Sequence, residues 1–249
     1  MKMHWSDSAD GFDRAAADAL ALALQARDEP FVALPTGSTP LGLYAEVARR
    51  VATGAALPGR AHYINLDEYV GLGPQHALSY VGYLQRHFLG PAGIARERVH
   101  LLRGDARDLD AECRAADAAL ARWGGLDLAL LGLGENGHIA FNEPGSDWNA
   151  ATHVVALDER TRAAQRRQAG AGAAIPAHGI TLGLATLRAA RSVVLLVRGA
   201  AKGAALAALL RGRADPQWPV TSLIGHPRLT VIAEAALRPA GAAAFTPRR

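Results

Sequence analysis

Short apolar runs recur along this chain, and longer mixed stretches fill the gaps between them. The runs near Phe31–Leu34, Tyr63–Leu66, Val99–Leu102, Asp127–Leu131, His153–Leu157, Ser192–Val197 and Leu229–Ala233 read as buried strands. The segments Phe12–Arg27, Pro40–Thr53, Ser79–Phe88, Ala111–Trp123, Glu159–Arg167 and Ala200–Arg211 read as helices. Strand followed by helix, repeated, predicts an α/β fold: a doubly wound, mostly parallel sheet with helices on both faces. Residues 1–249 show no internal repeat, low-complexity linker or shift in composition, so one domain is expected. Ala169–Ala174, with Gly170 and Gly172 inside it, is the loosest stretch and reads as a loop. In such a sheet, ligands bind where chains leave the C-terminal ends of the strands.

Three of the predicted strand ends carry chemistry. Residues Leu128 to Pro144 read LALLGLGENGHIAFNEP. The apolar run breaks at Gly132, Gly134 and Gly137, and the chain then presents Asn136, His138 and Glu143. Glycines let the backbone turn sharply near a ligand, histidine moves protons near neutral pH, and an amide and an acid nearby can fix its tautomer and charge. The spacing of Gly132, Gly134 and Gly137 also fits a dinucleotide fingerprint, but Pro144 and Gly145 follow too soon for the helix which that motif opens. A loop histidine is also commonly just solvated. After Phe31–Leu34 comes Pro35-Thr36-Gly37-Ser38-Thr39-Pro40, with Thr39 placed to cap the next helix and Pro40 at its first position. Hydroxyls and free N–H groups at a helix N-terminus suit an anion, although an ordinary strand-to-helix turn looks the same. The loop lacks the Gly-Lys-Ser/Thr of a nucleotide-binding P-loop. After Tyr63–Leu66 come Asp67-Glu68-Tyr69, adjacent acids at the crevice that suggest a general base or a metal site. The nine histidines form no H-E-x-x-H pattern and no cluster with cysteine, which disfavours the metal.

Composition narrows the picture. The chain has 249 residues, half of them apolar, which is ample for a core. A formal charge of +4 mildly favours an anionic ligand, but the arginines are scattered, so no nucleic-acid partner is expected. The N-terminal MKMHWSDSADGF has no apolar core of a signal peptide, and the apolar runs fall short of the ~20 residues that span a bilayer. The single cysteine, Cys113, excludes an internal disulfide and suits the cytoplasm. The strand ends together suggest a sugar-phosphate site without a cofactor. The phosphate would lie on Thr36–Thr39, Asp67 would abstract a carbon-bound proton, and His138 would open the sugar ring.

Four segments carry a family resemblance: LPTGSTPLGLY (34–44), NLDEYVGL (65–72), LLGLGENGHIAFNEPGS (130–146) and ITLGLATL (180–187). Their order and spacing resemble glucosamine-6-phosphate deaminases over nearly the whole chain. The related 6-phosphogluconolactonases typically have Asp-Glu-Arg in place of Asp67-Glu68-Tyr69, and Gly-His-Thr-Ala-Ser-like residues in place of Gly137 to Phe141. Galactosamine-6-phosphate isomerase/deaminases tend to carry Leu where Phe141 stands. The resemblance implies conversion of glucosamine 6-phosphate and water to fructose 6-phosphate and ammonia, with no metal and no cofactor. It implies that Asp67 takes the C2 proton and delivers it to C1. It implies further that His138 opens the ring, held by Glu143 and Asn136, while Glu68 lies beside the base without an assigned catalytic role. Gly37, Ser38, Thr39, Arg167 and Lys202 would bind the phosphate. Arg162 and Arg166 share one helical face, and Arg167 points about 100° away. Lys202 near a helix start is disfavoured by the dipole unless an anion sits there.

Some members carry Asp where this chain has Asn136, and an amide orients His138 without supplying negative charge to raise its pKa. Regulated members bind N-acetylglucosamine 6-phosphate through an Arg and a Lys on the strand that here reads His153-Val154-Val155, and they have a longer C-terminal extension. The resemblance therefore implies unregulated, hyperbolic kinetics and a monomer or small homo-oligomer. Two alternatives are a non-catalytic sugar-phosphate sensor and hydrolysis of 6-phosphogluconolactone. The presence of Asp67 and His138 argues against the first, and Tyr69 with Phe141-Asn142-Glu143 against the second.

Overall fold

In the computed structural model, which describes residues 1–54, 59–170 and 173–239, the apolar runs become the strands of two sheets. The strands are β1 (Lys2–Ser6), β2 (Phe31–Leu34), β3 (His62–Asn65), β4 (Asp67–Tyr69), β5 (Leu128–Gly132), β6 (His153–Ala156), β7 (His178–Thr181), β8 (Ser192–Val197) and β9 (Leu229–Glu234). The helices are α1 (Ala9–Leu24), α2 (Leu41–Ala52), α3 (Tyr80–Leu84), α4 (Leu109–Arg122), α5 (Glu159–Ala169), α6 (Leu184–Arg188) and α7 (Gly203–Leu210). A parallel sheet of six strands runs in the order β1-β9-β8-β5-β2-β3. Its inner strands are buried on both sides, which explains why β2, β5 and most of β8 are runs of apolar residues rather than alternating. Val32, Leu34, Leu128 and Leu130 pack with α1 and α2 on one face. Phe31, Ala33, Ala129 and Leu131 pack with α4, α6 and α7 on the other.

From β2 the chain moves outward to β3, whereas from β5 it moves the opposite way to β8 and β9. The order reverses between β2 and β5, the point where an α/β sheet opens a crevice at its C-terminal edge. The loops after β2 and β5 leave there, and they are the two glycine-bearing motifs.

Several expectations are corrected. Residues 99–102 do not form a strand: only Val99 bridges to Tyr63, and Leu102 N–H donates to the Asn65 side chain at 2.7 Å. A side-chain amide replaces the ladder there. The His153–Leu157 run becomes β6, but in a separate antiparallel sheet ordered β4-β7-β6, with alternating rather than continuous burial. The sequence reading missed β1, β7 and α6. β1 is an edge strand beside β9 with alternating exposure. β7 is broken in appearance by Gly179, where an added Cβ would lie 2.5 Å from the Phe141 ring. Thr39 does not cap α2: the helix begins at Leu41, Pro40 holds the capping position, and no side chain caps it. Ser79–Phe88 splits into α3 and a π-helical turn at Gln85–Leu89. Of the loop expected at Ala169–Ala174, residues 171 and 172 lie outside the described residues; Ala169 closes α5, and Gly170 follows it at φ +97°.

Candidate active site

The cleft at the switch point is lined by the loop after β2, the start of β4, the loop after β5, one face of α5, and Arg198 and Lys202 after β8. Two tyrosine hydroxyls fix the loop after β2: Tyr44 donates to the Pro35 carbonyl and Tyr83 to the Gly37 carbonyl, each at 2.6 Å. Gly37 sits at φ +90°, a conformation other residues rarely adopt. The N–H groups of residues 36 to 39 have no protein acceptor among the described residues. They form a rim of free N–H donors at the N-terminal end of α2, a geometry that suits an anion.

Asp67 opens β4, separated from the end of β3 by Leu66 alone. The Asn65 side chain holds this turn by donating to the Asp67 carbonyl at 2.7 Å. The Asp67 carboxylate is buried in the cleft wall and accepts no hydrogen bond among the described residues. Burial, with the nearby Glu68 charge, pushes its pKa well above the usual carboxylate range. Such a group is a base that has not been neutralised by a partner. Glu68 points elsewhere. It accepts from the N–H groups of Tyr69, Tyr80 and Val81 and from the Ser79 hydroxyl, at 2.7 to 3.0 Å. It therefore anchors the start of α3 and, through Tyr80, one wall of the cleft.

His138, Asn136 and Glu143 meet as one network. Glu143 accepts from Asn136 Nδ2 at 2.8 Å, from the Thr161 hydroxyl at 3.0 Å and from Asp158 N–H at 3.3 Å. Burial raises the Glu143 pKa, and those hydrogen bonds oppose the rise. With its NH2 committed to Glu143, Asn136 turns Oδ1 to His138 Nδ1 at 2.7 Å. An amide oxygen only accepts, so Nδ1 carries the proton. Nε2 has no protein partner among the described residues and is left to the cleft. Burial and the Lys202 charge push the imidazole pKa down to about 4. The ring is therefore neutral at pH 7, with its free lone pair at Nε2.

The cations expected at the phosphate are arranged unequally. Lys202 lines the cleft, and burial lowers its pKa. Arg167 does not line the cleft; it is exposed, and its Nη2 lies 3.0 Å from both oxygens of Glu135, which does line it. The sequence reading missed Tyr80, Glu135, Thr161, Arg198 and the α5 face formed by Arg160, Ala164, Gln165 and Gln168. Thr161, Gln165 and Gln168 stand at i, i+4 and i+7, so a polar stripe at helical spacing beside Arg167 was a usable signal. Arg198 had none: its guanidinium is set by Asp13 and Glu234 and stacks 4.2 Å from the Phe12 ring, all distant in sequence. Among the described residues, no group of three or more His, Cys, Asp or Glu is placed to hold a metal ion.

Known proteins are similar to this chain in sequence and fold. The family described as glucosamine-6-phosphate isomerases/6-phosphogluconolactonase matches residues 6–231. A glucosamine-6-phosphate deaminase of Beutenbergia cavernae is 40% identical over 230 residues, covering 91% of this chain and 88% of the relative. One of Lysinibacillus sphaericus is 36% identical over 223 residues, covering 90% and 94%. Among solved structures, a monomeric glucosamine-6-phosphate deaminase superposes with a TM-score of 0.91 at 33% identity, over 96% of this chain and 100% of that one. A 6-phosphogluconolactonase from Thermotoga maritima, at a TM-score of 0.74 and 19% identity over 94% of this chain and 99% of that one, shares the fold. With the match spanning both sheets and every cleft loop, this chain belongs to the family of glucosamine-6-phosphate isomerases and 6-phosphogluconolactonases.

Proposed function

We propose that this protein is a glucosamine-6-phosphate deaminase that converts glucosamine 6-phosphate and water to fructose 6-phosphate and ammonia, as a single sugar-phosphate domain without a cofactor. One observation carries the reading. A cleft with an anion rim at residues 36–39 holds both an unpartnered buried carboxylate, Asp67, and a neutral histidine with Nε2 free, His138. The phosphate takes the N–H groups of Gly37, Ser38 and Thr39 and the charge of Lys202, and Arg167 joins it by leaving Glu135. His138 Nε2 accepts the anomeric hydroxyl proton and returns it to the ring oxygen, which opens the sugar. Asp67 then takes the C2 proton and delivers it to C1. With O1 protonated and one N–H proton lost in exchange, this leaves an imine at C2, which adds water and releases ammonia to give the ketose. No step needs a redox partner.

A cytoplasmic monomer or small homo-oligomer fits this reading: Cys113, the single cysteine, is free and buried, and the structural neighbour above is described as monomeric. Val155 packs beside the Tyr69–Phe141 cluster, so β6 offers an apolar side chain rather than a charge to a second phosphate. The test is release of ammonia from glucosamine 6-phosphate, run beside galactosamine 6-phosphate and 6-phosphogluconolactone. Fastest turnover of the first supports the reading. Turnover of the lactone alone would overturn it.

A further inference from the structure

Helix α5 is strongly polar, yet it buries one hydroxyl. Thr161 is 2% exposed, while the rest of the helix is exposed or half-buried. Buried hydroxyls are kept where they have partners, and Thr161 has three. Its Oγ1 lies 3.0 Å from Glu143 Oε2, 3.1 Å from His138 Nδ1 and 3.5 Å from Asn136 Nδ2. A threonine hydroxyl has one proton and two lone pairs, and an ionised carboxylate can only accept. The proton therefore goes to Glu143, and a lone pair faces Nδ1–H. Glu143 Oε2 itself stands 3.7 Å from Nδ1, beyond a direct hydrogen bond. Position 136 is an amide and carries no charge. The hydroxyl is thus a second link between the carboxylate and the ring, beside the Asn136 amide with its 2.8 and 2.7 Å hydrogen bonds.

We propose that Thr161 is a positioning residue for His138: it donates to Glu143, shares the Nδ1–H donor with Asn136 Oδ1, and so helps hold the imidazole with Nε2 bare toward the cleft. Thr161 moves no proton. During ring opening Nε2 takes and returns one, while Nδ1–H stays in place. The positive charge that the ring then carries meets two oxygens, Asn136 Oδ1 and Thr161 Oγ1, each on a group that donates to Glu143, so loss of the hydroxyl removes one of the two. The role in turnover rests on the reading of His138 as the ring-opening group; the tautomer does not.

The test compares Thr161→Val, which keeps the shape and removes the hydroxyl, with Thr161→Ser, which keeps the hydroxyl. In Thr161→Val, kcat for glucosamine 6-phosphate should fall about 10- to 100-fold, the size of a lost hydrogen bond to a charged group, with KM little changed. Thr161→Ser should restore most of it. Nitrogen-15 spectra of the unliganded wild-type protein, assigned by the signals lost in His138→Gln, should show the proton on Nδ1. This readout needs no substrate and no folded valine variant. A wild-type Nε2–H tautomer overturns the proposal. So does a Thr161→Val enzyme with normal kcat, or a Thr161→Ser enzyme as slow as the valine variant. Absence of ammonia release in the wild type would instead strike at the proposed function and leave the tautomer result standing.

Discussion

Replacing Gly134 with alanine should disable ring opening without disturbing phosphate binding. The loop after β5 closes on itself, with Gly134 N–H donating to the His138 carbonyl at 2.9 Å. This turn lays the imidazole against the Gly134 backbone. A Cβ at position 134 would lie 2.3 Å from both Cε1 and Nδ1 of His138 and 2.5 Å from Cγ. Non-bonded carbons rest at about 3.5–4.0 Å, so the ring must withdraw by about 1 Å. Its hold on Asn136 is 2.7 Å long and on Thr161 3.1 Å, and a withdrawal of that size carries the ring out of both. A misplacement of about 1 Å at a reacting group costs about 100-fold, or about 2.7 kcal/mol of barrier. The assay is kcat for ammonia release at saturating glucosamine 6-phosphate, with Tm as a check on folding. Binding of the open-chain mimic 2-amino-2-deoxyglucitol 6-phosphate should be retained, since that ligand needs no ring opening. A Gly134→Ala enzyme with wild-type kcat would refute the argument that the ring position governs the rate. Equal loss of kcat and of mimic binding would make the loop a binding element instead.

Asp67→Asn should keep the fold and lose about 10²–10⁴-fold in turnover, together with exchange of the C2 proton into solvent; normal exchange would remove Asp67 from the role of base. Lys202→Ala should raise KM strongly, by the ~1.5–3 kcal/mol of a charge-assisted hydrogen bond. Arg167→Ala should raise it less, because Arg167 must first leave Glu135. A larger effect at Arg167 than at Lys202 would contradict that order, and both effects should vanish with unphosphorylated glucosamine. The pH profile follows from the working form of the base. Asp67 acts ionised and burial raises its pKa, so kcat should decline as pH falls through a value above the ordinary carboxylate range. His138, with its pKa pushed down to about 4, stays neutral there and adds no limb above that value. A profile flat down to the ordinary carboxylate range would show that Asp67 is not buried as described.

Local chemistry made much of this protein legible from its sequence. Strands such as Phe31–Leu34, and Ser192–Val197 from Val193 onward, are apolar at successive positions because both faces of the parallel sheet are covered, and that pattern survives in one dimension. The motifs at residues 34–44, 65–72 and 130–146 stood out for the same reason: each is a strand end whose turn and chemistry are adjacent in the chain. Tertiary structure decided what depends on partners far away. Whether residues 99–102 pair as a strand was settled by the Asn65 side chain. Whether residues 153–156 join the main sheet was settled by β7, a strand disguised by Gly179, whose missing Cβ leaves room for the Phe141 ring. Glu68 and Asp67 are neighbours of like charge in sequence, yet one is consumed by the start of α3 and the other left bare. Arg167, read as a phosphate ligand, rests on Glu135, and Thr161, an unremarked residue of a polar helix, sits at the centre of the histidine network. A sequence supplies donors, acceptors and charges, but the free energy of each depends on burial and on which partner is within 3 Å, and only the folded chain sets those distances.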